Sequence, residues 1–398
     1  MWNLLFAVIL GILLIPFTYL AMLAIGAAKK IPAVQSTVAR RNRKFIIAIA
    51  AHDESAVIEN SVRNLHKLDY PPDRFCVTVV ADHCTDETAL LARRAGAVVF
   101  ERNSGTRGGK GAALSWLFDQ IWESNMEVDA VVIFDADTIV DKDFLRVMNQ
   151  RLANGDDVIQ GQHIIANPHA GWFPLLTWAM FMIDNRFQNH GRVNLGFSAK
   201  HMGDSICFRA EVLRNLGCGS GLTEDYDLRQ KLLLCGIRIL YEPAAKGYGE
   251  AANSWTSAGR QRIRWLRGAD DTNKKNAPNL LRHGLKLGDR AMIDGALQGM
   301  LPSFSTVTLA AGFMLAAGFA LNMFAGALVS WWLVAAWAIV AGFLFVYPIW
   351  GLLLERAPWK AYLVIMTGPV FIFWQSWLAF KSRFIDKRVT WVRTPHGI

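Results

Sequence analysis

The chain has 398 residues, 53% of them hydrophobic, and a formal net charge of +9 at pH 7. Its mean hydropathy of +0.22 is too high for an ordinary soluble enzyme and too low for a transporter built only of membrane helices. The basic residues lie largely beside apolar segments, and no RNA- or DNA-binding motif occurs. We therefore expect contact with anionic lipid headgroups and no nucleic-acid partner.

Long uncharged segments lie at both ends of the sequence. Residues 1–28 form the first, and residues 301–380 contain three more, at roughly 301–325, 328–354 and 361–380. Each has about the 20 residues that a helix needs to cross a bilayer. No basic region precedes the first segment, which argues against a signal peptide. We predict a multi-pass protein with membrane helices at both ends.

Basic residues set the expected orientation in an inner (plasma) membrane. Lys29 and Lys30 follow the first segment, which places the domain of residues 29–290 in the cytoplasm. The C-terminal segment 381–398 is also basic and is expected in the cytoplasm, but four complete spans would place it outside. One late segment is therefore predicted to be interfacial or re-entrant, and residues 361–380, interrupted by Gly368 and Pro369, are the candidate.

The domain between the apolar ends alternates strand and helix patterns. Buried-strand runs at residues 44–51, 75–81, 97–100 and 129–134 are separated by helix-like segments. This alternation predicts an α/β fold with a doubly wound, mostly parallel, Rossmann-like sheet. An aromatic, apolar stretch near residues 170–190 and a basic, amphipathic stretch near residues 256–300 predict interfacial helices that seat the domain on the membrane. The five scattered cysteines indicate neither a disulfide framework nor a zinc site.

Acidic side chains follow three of the predicted strands. Asp53 and Glu54 come after the first, Asp82 after the second, and Asp135 and Asp137 after the strand at 129–134. Ligands of such sheets bind at the carboxyl ends of the strands. Any one cluster could simply cap the next helix, but the three together predict a ligand site.

The spacing of Asp135 and Asp137 predicts a metal site. Residues at i and i+2 of an extended chain share a face, and two adjacent carboxylates repel each other unless a cation lies between them. Oxygen ligands suit Mg²⁺ or Mn²⁺ together with substrate phosphates. Lys110 lies in the turn RGGKG, and this turn lacks the spacing of a phosphate-binding loop. Lys110 either approaches the substrate or is solvated.

Two further motifs each permit a structural or a catalytic interpretation. In GLTEDYD (221–227), Thr223 can cap a helix whose first turn favours acids, or one of Glu224 and Asp225 is a catalytic base. In QRIRW (261–265), the arginines either lie against lipid headgroups or reach the ligand site.

Taken together, Asp82, Asp137, Asp225 and QRIRW resemble the signature of the membrane-embedded GT-A-fold glycosyltransferases of family two, which include the cellulose, chitin and hyaluronan synthases. Asp53 departs from the asparagine usual in that family. The resemblance implies a role for each candidate residue. The nucleoside would contact Asp53, Glu54 and Asp82; the nucleotide and metal would contact Asp135 and Asp137; and Asp225, supported by Glu224, would be the base. Asp204, Gln261, Arg264 and Trp265 would bind substrate, and Lys110 is a further candidate from its place in the turn RGGKG alone.

The resemblance implies an inverting, Mg²⁺- or Mn²⁺-dependent transfer of sugar from a nucleotide sugar, by family expectation a UDP-sugar, to a growing polysaccharide. The first alternative is addition of one sugar to a lipid-linked acceptor. Because four apolar segments are few for a glycan channel, the sequence leaves either a homo-oligomer or this shorter acceptor. From other classes, a transporter with a nucleotide-binding domain would need charges in its membrane segments, and a nucleotidyltransferase would not need Asp225 paired with QRIRW.

Overall fold

A computed structural model describes residues 1–30, 41–124, 126–252, 254–326 and 328–382, so nearly all of the predicted basic segment 381–398 lies outside the described residues. The strands are β1 Phe45–Ala51, β2 Phe75–Asp82, β3 Val98–Arg102, β4 Ala130–Phe134, β5 Ile139–Val140, β6 Val158–Ile165, β7 Ile206–Arg209 and β8 Ile239–Gly249. The helices are α1 Trp2–Ala28, α2 Ile58–Leu65, α3 Thr88–Arg94, α4 Lys110–Glu123, α5 Phe144–Ala153, α6 Trp172–Asp184, α7 Arg192–Asn194, α8 Ala210–Leu216, α9 Glu224–Leu234, α10 Trp255–Leu287, α11 Arg290–Met300, α12 Phe304–Phe324, α13 Trp331–Leu354, α14 Trp359–Ile365 and α15 Gly368–Ser382.

The strands form one mixed sheet in the order β3-β2-β1-β4-β7-β6-β8-β5. The first half is parallel as predicted, since β1 pairs in parallel with β2 and β4, and β2 pairs in parallel with β3. In the second half, β7 runs antiparallel to both β4 and β6. After β6 the chain passes through α6 and α7 and re-enters the sheet at the end it left. The next strand therefore runs backwards.

Helices cover both faces of the sheet. Ile58 of α2 and Leu145 of α5 pack on one face, while Leu117 of α4 and Leu232 of α9 pack on the other. Every residue of β4 is buried. Covering both faces explains why the central strands are continuous apolar runs rather than alternating ones.

Among the described residues, three helices are long and apolar enough to cross a membrane: α1, α12 and α13. They pack together around Trp337, which is fully buried. Helices α14 and α15 pass the same test only as a pair, and they are bent by 54° at the break between them. This break falls at Gly368, where the sequence indicated an interrupted segment, and it fits a broken span or a re-entrant loop.

The stretches predicted to be interfacial form helices that join the sheet domain to the apolar ones. In α6, Phe173 packs against Phe371 of α15 and Leu352 of α13. The predicted stretch 256–300 is two helices, α10 and α11, because Gly288 ends α10 in a left-handed conformation with φ of 66°. That these helices lie in the membrane interface stays a prediction.

Candidate active site

A cavity of about 980 Å³ opens at the carboxyl ends of β1, β2 and β4. This is the edge of the sheet at which the acidic clusters were expected to meet. Asp53 is not among the described residues that line the cavity. The candidate residues that do line it are Glu54, Asp82, Lys110, Asp135, Asp137, Asp204, Glu224, Asp225, Gln261, Arg264 and Trp265.

Asp82 and Asp53 lie at adjacent strand ends but have different surroundings. Asp82 is buried and accepts a hydrogen bond of 2.7 Å from Arg102. Asp53 has a φ of 54°, and its carboxylate accepts a 2.7 Å hydrogen bond from the backbone N–H of Thr85. Asp53 therefore ties the loop after β1 to the loop after β2, whereas Asp82 faces the cavity.

A group of potential metal ligands lies at the same two loops. Ligand-type atoms of Asp53, Cys84 and Asp86 lie within 4.8 Å of one another. The Asp86 carboxylate accepts hydrogen bonds from the N–H groups of Ser55 and Thr88. Although burial opposes the effect, these bonds lower the pKa of Asp86 to about 2. Both carboxylates are thus engaged in holding backbone amides of the loops.

Asp204, which is 1% exposed, makes hydrogen bonds to the turn after β4. Its carboxylate accepts hydrogen bonds of 3.0 Å from both the Asp135 N–H and the Thr138 hydroxyl. It also lies 2.8 Å from Nδ1 of His163, a residue of β6. Burial opposes ionisation, but the His163 interaction outweighs it and lowers the pKa of Asp204. Asp204 thus fixes the turn that carries Asp135 and Asp137.

His163 and Glu250 are cavity residues that sequence reasoning missed. Both follow or interrupt apolar strand patterns, β6 and β8, and that interruption was the available signal. The backbone N–H of Glu250 donates to Asp137 at 3.3 Å. Because Asp135 and Asp137 both present carboxylates to the cavity, the residues present fit a divalent cation of the Mg²⁺ or Mn²⁺ class.

Lys110, the first residue of α4, lies between the acidic groups. Its ammonium pairs with the Asp135 carboxylate and donates to the Gly203 carbonyl at 2.6 Å. Burial disfavours the charge, but the negative charges of Asp135 and Glu224 outweigh burial and raise the pKa of Lys110. Of the two alternatives left by the sequence, the structure favours a lysine inside the site.

Glu224 and Asp225 begin helix α9, and both are partly buried and line the cavity. Burial raises the pKa of Asp225. Burial, together with the negative charge of Asp225, raises the pKa of Glu224 to about 7. Two adjacent carboxylates disfavour each other's ionisation, so the titrations of Glu224 and Asp225 are linked.

The predicted side-chain cap by Thr223 is wrong. Thr223 is the N-cap residue, but its carbonyl, not its hydroxyl, contacts the helix by accepting from the Asp227 N–H at 3.1 Å. The side chain packs on α10 instead: a Cβ at Gly268 would lie 2.5 Å from its Oγ1. Close contact with α10 therefore displaces the capping bond.

The QRIRW segment lies in α10 where this helix passes the start of α9. Gln261, Arg264 and Trp265 share one face of the helix and line the cavity. Arg264 donates to the carbonyl of Leu222, just before α9. Arg262 instead lies over the Phe371 ring, 4.7 Å from its centroid, and burial lowers its pKa to about 10. Arg264 thus contacts the segment just before α9, whereas Arg262 contacts the aromatic face of α15.

The cavity extends beyond the acidic residues between the apolar helices. Its walls there come from α12, α13 and the junction of α14 with α15. Within the described ranges, these helices contribute no charged side chain to the lining. The lining residues of this part include Phe304, Ser305, Thr308, Gly312, Ala341, Leu344, Phe345, Tyr347, Met366 and Gly368.

The family model described as "Glycosyltransferase like family 2" matches residues 42–268, more than half of the chain. The chain belongs to this family. The match covers the sheet and the QRIRW segment, and it confirms the predicted enzyme class. Membership disfavours the transporter and nucleotidyltransferase alternatives.

Individual relatives agree with this assignment. The chain is 30% identical over 242 residues to a beta-monoglucosyldiacylglycerol synthase of Synechocystis sp., covering 55% of this chain and 49% of that protein. It is 27% identical over 238 residues to the probable glycosyltransferase YdaM of Bacillus subtilis, covering 56% of this chain and 55% of that protein. The chain spans about half the length of the curated relatives it matches.

A solved structure shares the fold over most of the chain. The mannosyltransferase PcManGT from Pyrobaculum calidifontis, in complex with GDP-Man and Mn²⁺, superposes with a TM-score of 0.53 at 18% identity. The match covers 87% of this chain and 98% of that one. The GT-A fold expected from the resemblance is thereby confirmed.

Proposed function

We propose that the chain is an inverting, metal-dependent glycosyltransferase that adds one sugar from a nucleoside-diphosphate sugar to the hydroxyl of a membrane glycerolipid. The reaction takes place at the cytoplasmic face of the plasma membrane. The observation that carries the proposal is one continuous cavity that joins Glu224 and Asp225 of α9 to the uncharged walls of α12 and α13. The relatives named beta-monoglucosyldiacylglycerol synthases support a lipid acceptor.

The donor is proposed to lie along the strand ends. Glu54 and Asp82 line the part of the cavity beside β1 and β2, where the nucleoside would sit. Asp135 and Asp137 would hold the cation, which when bound neutralises charge on the diphosphate leaving group. The fold-sharing mannosyltransferase carries GDP-Man and Mn²⁺. UDP remains the expectation from the resemblance.

Asp225 is proposed as the general base. It would take the proton of the acceptor hydroxyl while the oxygen attacks the sugar carbon opposite the leaving group, which inverts that centre. Burial raises the pKa of Asp225, while a hydrogen bond from the Tyr226 N–H and the charges of Lys110 and Arg264 offset part of that rise. Gln261 and Trp265 line the same wall and would orient the sugar and acceptor.

The acceptor distinguishes this proposal from the processive polysaccharide synthesis that the resemblance to cellulose, chitin and hyaluronan synthases implies. A lipid hydroxyl can reach Asp225 from the membrane while its hydrophobic part stays among apolar helices. A growing glycan would instead need a polar path across the membrane. The uncharged lining between α12 and α13 favours the lipid.

The test is product analysis with the purified full chain in detergent–lipid micelles. Nucleotide sugars are screened with diacylglycerol and Mn²⁺ or Mg²⁺, and release of nucleoside diphosphate and product mass are measured. We expect a lipid carrying one added sugar, formed only with the cation. A ladder of increasing glycan length would refute single addition and favour the processive alternative.

A further inference from the structure

The membrane part of the cavity contains a buried polar group without a protein partner. Tyr347 of α13 is 6% exposed and lines the cavity. Its ring packs against Phe187 and Phe304, with centroids 4.2 and 5.4 Å away. Among the described residues, its hydroxyl has no hydrogen-bond partner. Because an unpaired buried hydroxyl is unfavourable, a bound ligand group that accepts a hydrogen bond from it would be favoured at this position.

The depth of Tyr347 suggests what that group is. Tyr347 lies two turns before Leu354, the last residue of α13, or about 10 Å along the helix axis. In the expected orientation, Leu354 is at the cytoplasmic surface. Since the headgroup layer is only about 5–8 Å deep on each side, Tyr347 lies close to where the hydrocarbon core begins. In a glycerolipid, this is the level of the ester carbonyls.

An open stripe of small, uncharged residues faces this region from α12. Ser305, Thr308 and Gly312 line the cavity at helical spacing, and the stripe is about 10 Å long. A Cβ built at Gly312 would have nothing within 4 Å. Leu344 of α13 lines the same part of the cavity. The space beside Gly312 is therefore apolar and uncrowded.

The cavity also reaches the outer surface of the apolar helices. Phe345 of α13 and Met366, at the break between α14 and α15, both line it, and they are 62% and 49% exposed. A hydrocarbon chain can therefore pass sideways between the bilayer and the space beside Gly312 without leaving an apolar environment.

We propose that Tyr347 donates a hydrogen bond to an ester carbonyl of the acceptor, while one acyl chain lies along Ser305, Thr308 and Gly312. The inference rests on the proposed function and deepens it, because it specifies an acyl-ester glycerolipid and the residues that read it. Ether-linked lipids and isoprenoid alcohols offer no such carbonyl.

The first experiment compares diacylglycerol with the dialkyl ether of the same chain length. The wild-type chain is expected to prefer the ester by about three- to tenfold in kcat/KM, the range of one hydrogen bond. Tyr347→Phe should lower kcat/KM for the ester by the same factor and leave the ether unchanged. Equal use of both lipids by the wild-type chain, or a Tyr347→Phe chain that keeps the preference, overturns the assignment of Tyr347.

The second experiment uses two glycines matched in their surroundings. Gly312 and Gly342 are both exposed positions of long apolar helices with nothing within 4 Å of a Cβ, but only Gly312 lines the cavity. Gly312→Leu should lower kcat/KM for long-chain diacylglycerol about tenfold and shift the preference to shorter chains. Gly342→Leu should resemble the wild type. The same chain-length profile in both variants overturns the acyl site.

These outcomes are separable from failure of the proposed function. If the wild-type chain makes a polymer and modifies no glycerolipid, the proposed function fails. If it adds one sugar equally to ester and ether lipids and neither variant alters chain-length preference, the function stands and only this inference fails.

Discussion

At the scale of single residues, two neighbouring carboxylates carry the proton-transfer role that we propose for the site. Glu224 and Asp225 lie partly buried at the first turn of α9, and this burial raises the pKa of both. The positive end of the helix dipole, with Lys110 and Arg264 nearby, offsets part of that effect. The upward shift suits Asp225 to its proposed role, because a general base must repeatedly accept and lose a proton.

This arrangement predicts a particular pH dependence. Both pKa shifts are upward, so protonation of the two carboxylates is favoured as pH falls, and kcat/KM should decrease on the acid side of its profile. Glu224→Gln removes the neighbouring negative charge, which should let Asp225 ionise more readily and move this acid limb to lower pH. Asp225→Asn should abolish transfer while nucleotide binding is retained. The measurements are pH–rate profiles and nucleotide binding of the three chains.

The two substitutions also test which acid is the base. A Glu224→Gln chain without activity beside an active Asp225→Asn chain would reverse the assignment. An unshifted acid limb in Glu224→Gln would show that the two carboxylates are not coupled.

At the scale of elements, the sequence predicted what depends on local pattern. Continuous apolar runs indicated β1, β2 and β4, and the residues that follow them do meet at one edge of the sheet. The reversal of β7 was not predictable, because an apolar run reports burial and not the direction in which a strand pairs. Neither was the support role of Asp204, which depends on the contact with His163 from a strand distant in sequence.

The helix at QRIRW shows the same limit. The resemblance assigned Gln261, Arg264 and Trp265 to substrate binding, and all three line the cavity. The partner of Arg262 depends on how α15 folds back after the break at Gly368, and no local pattern encodes that. The expected roles of these residues came from the family resemblance. Local pattern could not supply them, because residues on distant elements come together only when the chain folds.

At the scale of the whole molecule, a buried hydrogen-bond and ion-pair network joins α1 to α9, the helix that begins with Glu224 and Asp225. Arg192 and Arg229, both almost fully buried, each donate to Gln298 of α11, at 2.5 and 2.6 Å. Asp294 of α11 lies 3.4 and 3.7 Å from the two guanidinium groups. Tyr19 of α1 accepts from Arg192 and donates to Asp294, at 2.6 and 2.7 Å. Tyr19 on α1 is therefore linked through Asp294 to Arg229 on α9. Arg229 lies one turn after Asp225, the proposed base.

The network predicts that the apolar helix α1 supports catalysis as well as anchoring. Asp294→Ala leaves two buried cations without their shared carboxylate and should lower the free energy of unfolding by about 3–5 kcal/mol. Tyr19→Phe keeps the packing and removes one hydroxyl, which should lower it by about 1–3 kcal/mol. Asp270→Ala, which breaks an exposed pair with Lys274 on α10, is the matched control and should change stability little. Thermal unfolding in detergent measures all three.

The kinetic consequence follows from where Arg229 sits. Tyr19→Phe should lower kcat, because α9 carries Asp225 and loses a tether. It should leave the KM for the nucleotide sugar unchanged, because the donor contacts the ends of β1, β2 and β4, which the network does not touch. A raised donor KM with normal kcat would contradict the connection. Unchanged kinetics in a destabilised Tyr19→Phe chain would show that the network stabilises the fold without positioning the base.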